Sequence, residues 1–261
     1  MINLPVKKSS EIKQIIYGFV NIHSNNASRL VDDELSQTID LVIGKITSCF
    51  YDLNIIVNHI DPKKITEPEF VSKILLWQGL NTLISSLQLI RQGFFTEPVI
   101  LNRHAVENLA LAISVTSNPA DFKKFEEGKL SGEKCITAAK KIIPELGEIY
   151  GILSKFSHPG NENLGNYYLE DENNKTYAIG GGLTKKYIYR TKFNLAPLGI
   201  IAQVFLAGTE FIFWKYFTEL SLWKKESIYL KWSPNEDESK YSKELQCMLL
   251  EGLAEMEKNN R

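Results

Sequence analysis

The sequence predicts an all-α fold: a helical bundle with a small β-hairpin or strand insertion around residues 165–193. Three observations predict it. Apolar residues recur at intervals of three and four along most of the 261-residue chain, the spacing of one helix face. The breaks between these runs carry helix punctuation: Asp61-Pro62, Thr66-Glu67-Pro68, Gly93, Asn118-Pro119, Gly128 and Pro144. Only residues 161–193 are rich in Gly, Asn and Tyr and lack the helical period. With 44% apolar residues a full core is within reach. No change of composition separates two cores, so residues 1–261 read as one helical domain.

Taken in order, residues 9–25 give a first amphipathic helix through Ile12, Ile15, Ile16, Phe19 and Val20. Residues 28–60 give a long second one, with Leu35, Ile39, Val42, Ile43, Ile46, Phe50, Leu53, Ile56 and Val57 at helical spacing. Asp61-Pro62 stops it. A third runs from Thr66 to about Gln92 through Phe70, Ile74, Trp77, Leu80, Ile84 and Leu87, with Gly93 as its expected C-cap. The link through Phe94 and Phe95 is so short that the third and fourth helices should be antiparallel neighbours. The fourth covers residues 96–116, with Thr96 as the expected N-cap and Pro98 in its first turn. Short helices follow at 120–127, 131–143 and 144–156. Tyr167-Tyr168-Leu169 and Thr176-Tyr177-Ala178-Ile179 flank an acidic, Asn-rich link and read as a hairpin. Residues 185–193 alternate as a third short strand. A long helix over 195–227, a polar loop over 233–239 and a last helix to about Glu257 complete the chain.

Bulk properties exclude some functions. A net charge of −1 argues against a chain that holds nucleic acid or a membrane through its overall field. Cys49, Cys135 and Cys247 lie far apart with no metal or disulfide spacing, so a reducing cytoplasm is the simplest location. The N-terminus lacks the apolar run of a signal peptide. Residues 195–214 are long and apolar enough to span a bilayer. Glu210, Pro197 and the lack of a second such span favour a buried core helix instead. There is no phosphate-cradling glycine loop, no histidine pair at helical metal spacing, no Cys-x-x-Cys and no Gly-x-Ser-x-Gly elbow. Neither a cofactor nor a metal is expected.

The candidate chemistry sits in three places. The fourth helix is apolar on nearly every side, yet carries Arg103 and Glu107 four residues apart on one stripe. They form either an ion pair that fixes helix register, or a phosphate-binding Arg oriented by a carboxylate. In Tyr150-Gly-Ile-Leu-Ser-Lys-Phe-Ser-His158-Pro159, Ser154 and His158 share a face, with Tyr150 beside it. His158, at the negative end of the helix dipole, either caps the helix or serves as general acid or base. Lastly, Lys186, Arg190 and Lys192 line one side of the alternating stretch and Tyr187, Tyr189 and Phe193 the other. That interleaving suits a phosphate backbone with stackable bases, or a solvated strand whose tyrosines pack inward.

Two of these pieces together resemble a family. Leu101-Asn102-Arg103 with Glu107, followed by Tyr150, Leu153-Ser154 and His158-Pro159, is similar to DUF5677-like bacterial helical proteins allied to the HEPN superfamily. The resemblance covers roughly residues 67–215, within a HEPN-like core of about 67–227, and implies a helical bundle, commonly a homodimer, often a ribonuclease or an RNA-binding module of toxin–antitoxin and phage-defence systems. The Arg-x4–6-His nuclease motif of that superfamily is absent, since Gly151, Ile152 and Leu153 stand where its Arg would. Two functions are thus carried forward. One is an RNA-directed module, RNA-binding or a metal-independent ribonuclease with His158, Arg103 and Glu107 as catalytic groups. Tyr150, Ser154, Lys186, Arg190 and Lys192 would then hold substrate. The other is a noncatalytic helical interaction protein with a protein partner, its Arg, Glu and His forming a structural network.

Overall fold

The computed structural model describes residues 14, 17–157, 168–171, 174–177, 183, 188–226 and 229–259. The described chain is helical, as the periodicity predicts, with two small antiparallel hairpins. A single π-helical passage, Phe19–His23, runs without a break into α1, Ser24–His59. The two N-terminal helices expected from the sequence join across residues 24–28, and the non-helical residue lies further on, a kink at Leu35 (φ −131°, ψ 20°). The polar run around Asn25-Asn26 does not interrupt them, because Ser24 and Ala27 face the core.

Helix α2 is Glu67–Arg91. Thr66 and Glu69 form its capping box: the Thr66 amide donates to the Glu69 carboxylate at 2.8 Å and the hydroxyl at 2.9 Å. Gly93, at φ 81°, ends it in the left-handed conformation that disfavours any side chain. Helix α3, Thr96–Ser117, follows. Thr96 is its first helical residue; Phe95 takes the cap position without a side-chain bond. Ser72 donates to the Ala112 carbonyl at 2.8 Å and Ser86 to the Pro98 carbonyl at 3.3 Å. Partners that move in opposite directions along the chain make α2 and α3 antiparallel. The pair α1 and α2 is antiparallel too, since Asp32 meets Arg91 at one end and Phe50 lies 5.4 Å from Trp77 nearer the other.

Three short helices cover the far side: α4, Pro119–Glu126; α5, Gly132–Ala139; and α6, Pro144–Ser157. Strands β1, Tyr168–Asp171, and β2, Asn174–Tyr177, pair Tyr168 with Tyr177, the hairpin the sequence predicts. The expected third strand is overturned: residues from Ile188 on belong to helix α7, Ile188–Phe213. Tyr189 and Phe193, four apart, bury on one side of that helix. Phe193 packs against Phe95 and Phe156, which draws the segment into the core as a helix.

The long C-terminal helix expected over 195–227 is overturned as well. It stops at Phe213, and strands β3, Trp223–Glu226, and β4, Tyr229–Trp232, form a second hairpin. Glu210 causes the turn-back: its carboxylate accepts from the Ser221 and Leu222 amides at 2.7 and 3.0 Å. The Trp223 indole donates to the Ala207 carbonyl at 2.8 Å and stacks edge-on against Trp232. The last helix is α8, Glu236–Asn259.

Helix α7 runs through the middle of the bundle. Ile188–Tyr216 is long and apolar enough to cross a membrane, but 89% of its most apolar stretch is buried inside the protein. It is a core helix. Gly79 of α2 lets it come close, because a Cβ there would overlap the Phe205 ring. The core draws on α1, α2, α3, α5, α6 and α7. One part of the sequence reading is corrected here. Ile43, Phe50 and Val57 of α1, and Phe70, Ile74, Trp77 and Ile84 of α2, fit the helical period but face solvent. Each helix thus has a second apolar stripe beside the one it buries.

Candidate functional site

The geometry of α3 and α6 brings four of the polar side chains together. Arg103 and Glu107 stand one turn apart on α3; Tyr150 and Ser157 stand seven residues apart on α6, two turns on one face. Arg103 Nε donates to Glu107 Oε1 at 3.1 Å, its Nη1 to Ser157 Oγ at 3.2 Å and its Nη2 to Tyr150 Oη at 3.1 Å. The Tyr150 hydroxyl donates in turn to Glu107 Oε1 at 3.1 Å. Arg, Glu and Tyr thereby close a ring of hydrogen bonds, with the guanidinium carbon 5.3 Å from the Tyr150 ring centre. Ser157 also donates to the Ser154 carbonyl at 3.3 Å.

The pair is not buried as the apolar character of α3 suggests. The Arg103 and Glu107 side chains are 27% and 34% exposed, at the seam where α6 meets α3. Partial burial opposes the guanidinium charge. The hydrogen bonds to Tyr150 and Glu107 outweigh it and hold the Arg103 pKa above its ordinary value. The Ser154 hydroxyl is buried and makes no hydrogen bond. It does not reach the cluster, contrary to its expected role as a polar auxiliary.

His158 and Lys186 lie outside the described residues, so of the predicted triad only Arg103 and Glu107 are seen to meet. Arg190 and Lys192 do not line a strand face. In a helix two residues differ by about 200° around the axis, so they point to opposite sides of α7. Arg190 lies 5.9 Å from its neighbour Tyr189's ring centre. The interleaved basic surface expected for nucleic acid is absent from the described part of this segment.

A polar seam that the sequence reading missed joins α1, α7 and α8. Lys45 pairs with Glu238 and sits 4.6 Å over the Tyr241 ring. Gln203 donates to the Glu238 carboxylate and carbonyl, each at 2.9 Å, and accepts from Ser242 at 2.6 Å. Tyr241 donates to the Gly199 carbonyl and Cys49 to that of Ala202, each at 3.1 Å. The only signal in the sequence was a set of charged residues at otherwise core-facing helical positions. Asp52 of α1 lies close to this seam. Burial, and then the nearby Glu210, push its carboxyl up to about 7.

No family model, no curated protein and no solved structure matches this chain. The likeness to HEPN-type proteins therefore rests on the two short sequence motifs alone.

Proposed function

We infer that this chain is a noncatalytic helical interaction protein, in which the Arg103 cluster is a structural clamp between α3 and α6. The observation that carries the reading is the occupancy of Arg103: each of its three nitrogens already donates to a protein acceptor. An arriving phosphate would meet a guanidinium already engaged through all three nitrogens, beside the Glu107 carboxylate, whose charge repels it. A guanidinium locked into such a ring orders helices better than it recruits anions.

One observation favours the second reading, an RNA-directed module of defence or toxin–antitoxin type. Ser157 Oγ lies on Arg103, and the next residue in the chain is His158. The test is an RNA-cleavage and RNA-binding assay in EDTA with wild type, Arg103→Ala and His158→Ala, alongside melting curves. The clamp reading expects no cleavage that depends on His158 and a lower melting temperature for Arg103→Ala. Cleavage lost in His158→Ala with the fold retained overturns it.

A further inference from the structure

The outer faces of α1 and α2 carry apolar side chains that the fold leaves uncovered. On α1 these are Ile43, Phe50 and Val57; on α2, Phe70, Trp77 and Ile84, with Ile74 between. Both sets repeat at seven residues, so each forms a straight stripe along its helix. The side chains are between 37% and 51% exposed. Phe50 and Trp77, 5.4 Å apart, join the two stripes into one surface. Beside it Trp77, Asn81, Ser85 and Leu101 help to line a shallow groove of about 470 Å³.

The face is also poor in charge, apart from Lys73, whose ammonium lies 4.8 Å over the Phe70 ring at one end. From Ile74 to Ile90, seventeen residues, α2 carries none; at the chain's 23% about four would be expected. On α1 from Ile46 to His59 the only formal charge is Asp52, which is turned partly inward. Exposed positions between the apolar ones hold Thr47, Gln78 and Asn81, and Ser85 and Gln88 follow them on α2. Depletion of charge with exposed aromatic residues marks the centre of a protein interface.

We propose that a second copy of this chain covers the α1–α2 face, giving a two-fold symmetric dimer with a four-helix interface. This rests on, and deepens, the reading of the chain as an interaction protein. The lack of charge selects the occupant. A two-fold interface places a patch against itself, so any net charge would meet its own sign; a neutral face does not. A helix that binds a lipid surface is rich in Lys and Arg on its polar face; α2 has none from Ile74 to Ile90, and Arg91 is paired with Asp32. Seven-residue stripes on two adjacent antiparallel helices are what packing at about 20° requires. The stripes are about 21 Å long and the two helices about 20 Å wide, so two copies bury on the order of 800–900 Å², the size of a weak, transient interface. The dimer is therefore concentration-dependent.

The test is sedimentation of the full chain from sub-micromolar to high-micromolar concentration. The mass is expected to rise from 29.7 kDa towards twice that value. Trp77→Lys and Ile74→Glu should each weaken association by about thirtyfold or more. Asn81→Arg, at an exposed polar position in the same face, guards against misfolding and should do likewise. Leu250→Glu, exposed on α8, should leave the dimer intact. A monomer at every concentration overturns the proposal, as does a dimer indifferent to all three face variants. A monomer that floats with phosphatidylcholine vesicles, and loses them in Trp77→Lys, assigns the face to lipid and overturns it too. If the chain is monomeric and also lacks His158-dependent cleavage, the second copy fails while the interaction reading stands.

Discussion

The Tyr150 hydroxyl donates to Glu107 and accepts from Arg103, so the ring can be opened at any of its three members. Arg103→Ala leaves the carboxylate and the phenol to each other and to water. With the pair about a third exposed or less, the loss should be about 1–2 kcal/mol, a fall of roughly 3–6 °C in melting temperature. Tyr150→Phe should cost about 1 kcal/mol, and the double variant less than the sum, because each single change already breaks their shared bond. Additive losses would mean that the ring is not a unit. This cluster was half legible. A spacing of four placed Arg103 and Glu107 on one stripe, but the pattern put Tyr150 beside Ser154 and His158 and did not single out Ser157. What no one-dimensional pattern contains is the angle at which α6 crosses α3, and that angle put the pair at the seam rather than in the core.

Among the elements, the helices were legible wherever a buried stripe and a stop signal agreed, as at Gly93 or Asn118-Pro119. They were not where a stripe was longer than its helix. The apolar run after Leu195 continues past Phe213 into Trp223, and Glu210 folds it back by binding two amides outside the helix. A similar tertiary override made residues from Ile188 helical against their alternation. Helix α1 carries a pH dependence. Asp52 ionises near 7 in the native chain against an ordinary 3.8. The native state thus keeps a proton that the unfolded chain loses, and stability falls as pH rises from about 4 to 7. Glu69 at the start of α2 acts in the other direction. Burial alone would raise it, but bonds from Lys215 and Thr66 outweigh that and lower it. Its contribution is present above 4.5 and is lost as pH falls through its lowered pKa. Asp52→Asn should therefore match wild type near pH 4 and exceed it at pH 8, by about 1–2 kcal/mol once partial access to water is allowed for. Denaturant melts at the two pH values decide it; equal gains at both would remove Asp52 as the source.

At the scale of the molecule, the Lys45–Glu238 pair joins residues 193 apart and ties the last helix to the first long one. Both side chains are about nine-tenths buried, so removing one leaves the other charge without a partner ion, a loss of about 3 kcal/mol or more. The cysteines report where that loss is felt. Cys247 is exposed, while Cys49 and Cys135 are buried and their thiols pushed up, Cys49 the more, by that burial. A thiol reagent should find one fast site in the native chain and three in denaturant. Cys49 hydrogen-bonds α7 close to the Tyr241 side chain of α8; Cys135 lies on α5. In Lys45→Met, undocking of α8 should raise labelling of Cys49 by about a hundredfold and that of Cys135 far less, which identifies α8 as a unit able to open on its own. Equal acceleration at both cysteines would instead show that the bundle opens as a whole, with the polar seam stabilising every helix alike.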